Sequence, residues 1–178
     1  MKNMVKGIIN KNKWLNLNFT IVRKLGVKRW VINIIFQRVF RRHSKLDFSV
    51  HFTSNISEIN ITFHRDLTTL LSFAASGGCY FQAINGINLG RNCLFAPSVK
   101  LISANHDFHM HERSVESTAI SIGDDCWIGA NAIILPGVRL GNDCIVGAGS
   151  VVTKSFIESG LLIAGNPARV IKKWKFAK

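Results

Sequence analysis

The chain has 178 residues, of which 23 are Lys or Arg and 10 are Asp or Glu, so its net charge at pH 7 is +13. Hydrophobic residues make up 47% of it, which argues against a disordered chain and for one modest globular domain with an appendage. Four cysteines are too few for a disulfide scaffold, and the first residues lack the pattern of a secretory signal, so we expect a reducing, cytoplasmic setting.

The positive charge is concentrated near the N-terminus. Residues 1–48 contain 12 Lys or Arg and a single acid, Asp47, whereas residues 49–178 contain 11 Lys or Arg and nine acids. Within this basic arm, the stretch Trp30–Arg42 has the periodicity of an amphipathic helix with a broad apolar face. Its polar stripe consists of Asn33, Gln37, Arg38, Arg41 and Arg42.

Two arrangements of this helix fit the pattern. Its apolar face can make a peripheral contact with the inner face of the cytoplasmic membrane, or it can pack on the protein's own core or on a neighbouring subunit. A transmembrane helix is not expected, because the stretch Trp30–Phe40 would cover only ~16 Å of a ~30 Å hydrocarbon core. Nucleic-acid binding is not expected either, because the sequence contains no helix-turn-helix, zinc-finger spacing or aromatic RNA-binding motif.

An aliphatic residue recurs at every sixth position between Ile122 and Val152. Because a period of six matches neither a helix nor a half-buried strand, it indicates a parallel β-helix, in which three hexapeptides form one triangular coil. Residues 18 apart should then stack about 4.8 Å apart on successive coils. The predicted stacked pairs are Ile122 with Leu140, Ile128 with Val146, Ile134 with Val152, and Cys126 with Cys144.

The periodicity is interrupted once. The same phase is present upstream, but Leu101 and Ile122 are 21 residues apart, which is not a multiple of six, so a loop of about residues 103–119 must leave the coil. This loop contains three of the six histidines and is flanked by aliphatic coils, so we expect function to lie on it. Residues suited to corners with positive φ are Asn131, Asn142 and the pair Asn85-Gly86.

Four segments together resemble one protein family. They are SANHD at residues 103–107, WIGAN at 127–131, GAGSVVTK at 147–154 and GNPARVI at 165–171. Their joint occurrence over about residues 80–175 resembles the hexapeptide-repeat acyltransferases, left-handed β-helix enzymes that include maltose, galactoside and nodulation acetyltransferases. The segment GCYFQAINGINLG at 78–90 is most similar to the branch that O-acetylates sugars of bacterial surface polysaccharides.

The resemblance implies transfer of an acetyl group from acetyl-CoA directly to a sugar hydroxyl, without a metal, in a homotrimer with its sites in clefts between neighbouring β-helices. His106 matches the family's general base, which the chemistry also requires, because a sugar hydroxyl is a poor nucleophile until its proton is removed. Asp107, Glu112 or Glu116 could orient its imidazole, and a backbone carbonyl could also do so. The other loop histidines, His109 and His111, are interpreted as solvated side chains.

The resemblance also transfers coenzyme positions one at a time. They are Gly129, Ala130, Gly147, Ala148, Thr153, Lys154, Arg169 and Lys172. The last two would meet the nucleotide's phosphates from successive turns of a short C-terminal helix. Gln82 and Asn85 precede the loop on nearby coils and could hydrogen-bond the acceptor sugar, although Asn85-Gly86 is equally well read as a plain turn.

The predicted fold is all-β, a left-handed parallel β-helix with an extruded His-containing loop, a basic N-terminal helical arm and a short C-terminal helix. Its parts are the arm at 1–48, the β-helix domain at 49–165 and a basic tail at 166–178. The predicted function is O-acetylation of a surface polysaccharide or its lipid-linked precursor. Alternatives are an acetyltransferase for serine, an antibiotic or an amino sugar, a metal hydratase of the γ-carbonic anhydrase type, and a non-catalytic scaffold.

Overall fold

The computed structural model describes residues 19–107, 109–110 and 114–174. Residues 19–25 are helical, followed by helix α1 (Val27–Ile34), a π-helical turn (Ile35–Val39) and, after two short strands, helix α2 (Leu67–Ala75). The strands are β1 (Asn55–Ile56), β2 (Ile61–Phe63), β3 (Tyr80–Gln82), β4 (Ile87–Leu89), β5 (Leu94–Phe95), β6 (Lys100–Ile102), β7 (Asn105–His106), β8 (Ser114–Val115), β9 (Ile120–Ile122), β10 (Trp127–Ile128), β11 (Ile133–Ile134), β12 (Arg139–Leu140), β13 (Ile145–Val146), β14 (Val151–Val152), β15 (Leu161–Gly165) and β16 (Ala168–Lys173).

Three sheets form the sides of a triangular coil. The first sheet has the order β12-β9-β4-β2, the second β16-β15-β13-β10-β5 and the third β1-β3-β6-β11-β14. The chain passes through the first, second and third sheets in turn, and their strand pairs are parallel except for β15 with β16. This is the predicted parallel β-helix, and the repeat positions fill its buried centre.

The predicted stacking register is confirmed. Leu140 pairs with Ile122, Val146 with Ile128, and Val152 with Ile134. Across the interrupted coil the step lengthens to 33 residues, as in the pairing of Phe95 with Ile128, and the excess over 18 is 15 residues. Those extra residues leave the coil between β6 and β9 and carry the antiparallel hairpin β7–β8, which confirms the extruded loop.

Positive φ occurs in columns at the corners of the coil. Asn131 has a φ of 58° and Gly86 a φ of 93°, as predicted for corner residues. Asn142 lies in the corner turn, but it does not have the positive φ that was expected of it. It bridges coils instead, because its Oδ1 accepts the backbone N–H of Asp124 at 2.9 Å, while the neighbouring Asp143 takes the left-handed conformation.

Helix α2, which the sequence did not predict, closes the N-terminal end of the β-helix core. The Asp66 carboxylate caps it by accepting the backbone N–H of Thr69 at 2.8 Å. Phe73 is 1% exposed, and its ring centre lies 4.8–5.4 Å from the rings of four other phenylalanines. These are Phe48, Phe63, Phe81 and Phe95. This cluster of five phenylalanine rings excludes water from the open end of the coils.

The predicted polar stripe of the arm is wrong for two of its five residues. Asn33 is 0% exposed and Gln37 is 3% exposed, and both face the protein. The Asn33 amide donates to the carbonyl of Ala74 at 2.9 Å and accepts the N–H of Phe52 at 3.1 Å. The Gln37 amide donates to the carbonyl of Phe48 at 2.9 Å and accepts the backbone N–H of Val50 at 3.2 Å. Backbone groups that would be buried without partners therefore determine which side of the helix faces inward.

The predicted short C-terminal helix is also wrong within the described residues. Residues 161–173 form the antiparallel hairpin β15–β16, which extends the second sheet, and a cis peptide bond joins Asn166 to Pro167 in its turn. Strand β15 pairs with β13, so the hairpin satisfies more backbone hydrogen-bonding groups than an isolated helical turn would. The β-branched residues Val170 and Ile171 also suit a strand.

The cysteines are free, buried thiols, and Cys126 and Cys144 stack on successive coils as predicted. Their thiols donate to the carbonyls of Gly141 at 3.1 Å and Glu158 at 3.4 Å. Burial raises the pKa of the Cys93 thiol to about 12, so this sulfur is protonated at neutral pH. These thiols pack as small apolar groups.

In the part of the chain that the structure describes, no helix has the length and apolar character needed to cross a membrane.

Candidate active site

His106 lies on the hairpin that leaves the β-helix. It ends strand β7, and its partner across the hairpin is Ser114 on β8. The hairpin departs after β6 of the third sheet and returns to β9 of the first sheet, so it projects from the corner between these two sheets. The His106 side chain is exposed, which leaves it accessible to a ligand at this corner.

Two side chains from the coil below hold the base of the hairpin. The Asn85 amide Nδ2 donates to the carbonyl of Ser103 at 2.9 Å and to the carbonyl of Val115 at 3.1 Å. Ser103 is 0% exposed and its hydroxyl accepts the backbone N–H of Asn85 at 2.9 Å. Gln82 Oε1 accepts the backbone N–H of Ala104 at 3.0 Å. Asn85 and Gln82 therefore position the hairpin, and their predicted contact with the acceptor stays a prediction.

Ser103, which the sequence analysis did not single out, helps to hold the base of the hairpin through its contact with Asn85. The sequence signal for this role was a small hydroxyl residue directly before the extruded loop. At that point the chain turns out of the coil, and a buried hydroxyl can accept a hydrogen bond from a backbone N–H group.

The acidic neighbours of His106 have different surroundings. Asp107 Oδ1 accepts the backbone N–H groups of His109 at 2.7 Å and Met110 at 3.0 Å, and these bonds lower the pKa of its carboxyl. Glu116 follows β8 and is exposed. The interpretation of His111 and the candidate partner Glu112 lie outside the described residues, and the identity of the group that orients His106 stays a prediction.

The predicted coenzyme positions near the GAG segment meet at the corner between the second and third sheets. The backbone N–H of Gly149 donates to the carbonyl of Ala130 at 2.8 Å, which joins two successive coils there. A Cβ on Gly129 would lie 2.6 Å from the backbone nitrogen of Ala148, and one on Gly147 would lie 2.9 Å from a side chain of the next coil. Glycine at these two positions is therefore required for stacking, and the exposed Ala148 and Gly149 leave the corner without long side chains.

The surface at that corner leaves main-chain groups open to solvent. Gly149 has a φ of 69°, and a Cβ built there would meet nothing within 4 Å. Open space beside exposed backbone allows an extended ligand to contact main-chain groups directly.

Thr153 and Lys154 lie at a different corner. They follow β14 at the end of the third sheet, so they share the corner from which the His106 hairpin projects. Both are exposed, and Lys154 Nζ lies 5.8 Å from the ring centre of Phe156. This corner and the corner at Ala148 lie at the two ends of one side of the triangular coil. Six extended residues span that side, so the two corners are at most about 20 Å apart.

Arg169 and Lys172 share the outward face of β16 because of a β-bulge. Arg169 pairs with Ala164 and Lys172 pairs with Leu162, while the register shifts between Leu162 and Ile163. Without the bulge, residues three apart on a strand would point to opposite faces. The two cations were predicted to lie together on a helix, and the structure brings them together on a strand next to the corner at Ala148.

The described residues include no group of three His, Cys, Asp or Glu side chains that could hold a metal ion.

Comparison with known proteins agrees with this architecture. Residues 119–154 match a family model described as the hexapeptide repeat of succinyl-transferase. A Dictyostelium discoideum protein, an acetyltransferase by name, is 55% identical over 105 residues, which cover 57% of this chain and 55% of that protein. A lipopolysaccharide biosynthesis O-acetyl transferase by name, WbbJ of Escherichia coli K12, is 30% identical over 175 residues, which cover 84% of this chain and 89% of that protein.

A solved structure shares both fold and sequence. The maltose O-acetyltransferase of Clostridium difficile 630 superposes with a TM-score of 0.50 at 34% identity, over 70% of this chain and 60% of that chain. The chain spans about half the length of the first curated relatives it matches.

The fold and the repeat define a hexapeptide-repeat β-helix protein whose polar hairpin carries a histidine. Because the similarity to the Escherichia coli relative extends over most of both chains, the protein belongs to the hexapeptide-repeat acyltransferase family. The predicted left-handed β-helix is thereby confirmed as its fold.

Proposed function

We propose that the protein transfers an acetyl group from acetyl-CoA to a sugar hydroxyl of a surface polysaccharide or of its lipid-linked precursor. The observation that carries the proposal is the position of His106, held on a hairpin at the corner that also bears Thr153 and Lys154. The names of the relatives, a lipopolysaccharide O-acetyl transferase and a maltose O-acetyltransferase, support a sugar as the acceptor.

The reaction needs one base that takes up a proton in the first step and releases it in the second. His106 accepts the proton of the acceptor hydroxyl as the oxygen attacks the thioester carbonyl, which forms a tetrahedral intermediate. Collapse of that intermediate breaks the carbon–sulfur bond, and the imidazolium gives its proton to the departing sulfur, so the products are an acetyl ester and the thiol of CoA. A base in this role contributes typically 10²–10⁴-fold to the rate.

Acetyl-CoA would contact this chain at two corners of the coil. Ala130 and Ala148 present backbone and small side chains at one corner, where the glycines allow close approach. Arg169 and Lys172 supply positive charge for phosphates beside it. Thr153 and Lys154 stand at the next corner with the His106 hairpin, so an extended coenzyme along the third sheet would carry its acetyl group towards the base.

The proposal includes the assembly and the cellular setting. A homotrimer would place a neighbouring β-helix against these corners and enclose the site. The protein would act in the cytoplasm, with a peripheral contact between residues 1–48 and the inner face of the membrane, where a lipid-linked acceptor would be reached.

The test is release of CoA thiol from acetyl-CoA in the presence of a panel of acceptors, followed by mass spectrometry of the acetylated product. The panel includes polysaccharide fragments, simple sugars, an amino sugar, serine and aminoglycosides. His106→Ala should lower transfer by at least ~10²-fold with coenzyme affinity nearly unchanged. His109→Ala is the matched control on the same loop and should keep wild-type turnover, whereas near-wild-type turnover of His106→Ala would remove this residue from the mechanism.

A further inference from the structure

Helix α1 and the π-helical turn after it present an apolar ridge to solvent. Val27, Val31, Ile35 and Val39 are spaced four residues apart, which places them on one side of the helix. Val27 is 65% exposed, Val31 and Ile35 are each 40% exposed, and Val39 is 70% exposed. These four side chains are called the outer ridge below. Phe40, which follows them, is 66% exposed.

The outer ridge is fixed in this orientation by the opposite side of the helix. The amides of Asn33 and Gln37 are buried against the segment 48–52 and the end of α2. They make four hydrogen bonds with backbone groups of these two segments. Rotating the ridge inward would turn both amides out to water and leave those backbone groups without their hydrogen-bond partners, which is unfavourable. The ridge therefore stays on the outside of the protein.

The segment that bears the outer ridge carries positive charge only. Residues 19–46 contain no Asp or Glu, and their Lys and Arg side chains are all exposed. The nearest acid along the chain, Asp47, is in a salt bridge with Arg65 at 2.5 Å. The cations are Arg23, Lys24, Lys28, Arg29, Arg38, Arg41, Arg42 and Lys45.

An exposed apolar ridge in a positively charged segment favours one kind of binding partner. Two copies of this surface facing each other would bring eight cations against eight, and a heterologous contact, as in a trimer, would place the ridge on a β-helix domain whose 11 Lys or Arg and nine acids give it no net negative charge. An anionic phospholipid surface instead attracts the cations and accepts valine, isoleucine and phenylalanine side chains at its interface. We infer that the outer ridge docks on an anionic phospholipid membrane, with α1 lying in the plane of the interface.

The inference deepens the membrane contact of the proposed function, because it names the surface that makes it. It keeps the apolar face towards the membrane, as expected from the sequence, and corrects the position of two residues of the polar stripe, Asn33 and Gln37. Here two of the stripe's residues attach the helix to the β-helix domain, so docking would hold the folded domain itself at the membrane surface.

The experiment is flotation of the full chain with phosphatidylcholine vesicles that contain either no anionic lipid or about one-third phosphatidylglycerol. The ridge variant is Val31→Gln with Ile35→Gln, which keeps good helix formers and leaves Asn33 and Gln37 in place. The matched control is Ile59→Gln, because Ile59 is 57% exposed but lies outside the arm. Light scattering on each protein reports its oligomeric state.

We expect wild type and the Ile59→Gln control to float with anionic vesicles only, and the ridge variant to bind them at least ~10-fold more weakly at unchanged molar mass. Equal flotation of ridge variant and wild type, or a ridge variant that loses its oligomeric state, would overturn the inference.

The two proposals fail in distinguishable ways. A wild type that transfers acetyl groups to a soluble acceptor but does not float would overturn the docking alone. A wild type that floats as expected but transfers nothing would overturn the proposed reaction and leave the docking standing.

Discussion

The side-chain Nδ2 of Asn85 lies 3.1 Å from the carbonyl oxygen of Val115, and this hydrogen bond joins the β-helix coil to the far strand of the hairpin that carries His106. The same nitrogen binds the carbonyl of Ser103, where the chain leaves the coil. One amide therefore fixes both ends of a loop of polar residues. Since a base must lie within hydrogen-bond reach of the acceptor proton, the position of this hairpin should affect the chemical step more than coenzyme binding.

Asn85→Ala should lower kcat by about 10–10²-fold while the KM for acetyl-CoA changes little, because the hairpin loses its attachment to the coil. Steady-state kinetics with both substrates varied, at matched thermal stability, provide the measurement. An unchanged kcat with a strongly raised KM for the acceptor would instead mean that Asn85 contacts the sugar, as the sequence suggested.

Gly129→Ala should destabilise the protein by about 3 kcal/mol, because its Cβ would lie 2.6 Å from the backbone nitrogen of Ala148 and neither coil can move alone. Gly149→Ala is the comparison, since space is open there and only the φ of 69° is unfavourable, at about 1–2 kcal/mol. Urea unfolding of both variants measures the difference, and equal costs would contradict the close stacking at Gly129.

Arg169→Ala and Lys172→Ala should each raise the Kd for CoA about tenfold, because both cations lie on the outward face of β16. Lys173→Ala is the control, since Lys173 pairs with the buried Leu161 and forms an ion pair with Glu158. Calorimetry with CoA and with a CoA analogue that lacks the nucleotide phosphates separates charge from packing. An equal loss of affinity in all three variants would mean that general charge, and not the bulge geometry, attracts the coenzyme.

Stability should fall as the pH drops below about 6.5, the ordinary pKa of histidine. Burial lowers the pKa of His43 and His51, so the unfolded chain takes up protons at a higher pH than the folded protein and is favoured on acidification. His51→Gln should make the pH dependence of the urea midpoint shallower between pH 7 and pH 5. A midpoint that rises on acidification would contradict the burial of these rings.

Much of the β-helix could be predicted because a single rule, one inward aliphatic residue in six, sets both register and core. The pairing of Ile128 with Val146 and the excess residues of the hairpin followed from arithmetic on that rule. The arm was predicted less well, because amphipathic patterns assume that polar side chains face water. Asn33 faces inward since the backbone at Phe52 and Ala74 needs hydrogen-bond partners, and that need arises only in the folded protein.

The site shows the same division. His106 and the glycines could be identified from local motifs, whereas the role of Ser103 depends on a contact with Asn85 on another coil. The shared face of Arg169 and Lys172 was predicted from helical spacing and arises instead from a bulge in a strand. A bulge depends on how β15 and β16 pair, which a residue pattern within β16 does not encode.

The most direct measurement of the central claim is calorimetric titration of the full chain with acetyl-CoA and with free CoA, with metal content assayed on the same sample and a chelator as control. The account predicts micromolar binding of both coenzymes that persists in excess chelator and is retained by His106→Ala, because the base acts in the transition state. Absence of coenzyme binding would contradict the proposed acetyl transfer, and tightly held stoichiometric metal in such a sample would favour the hydratase alternative.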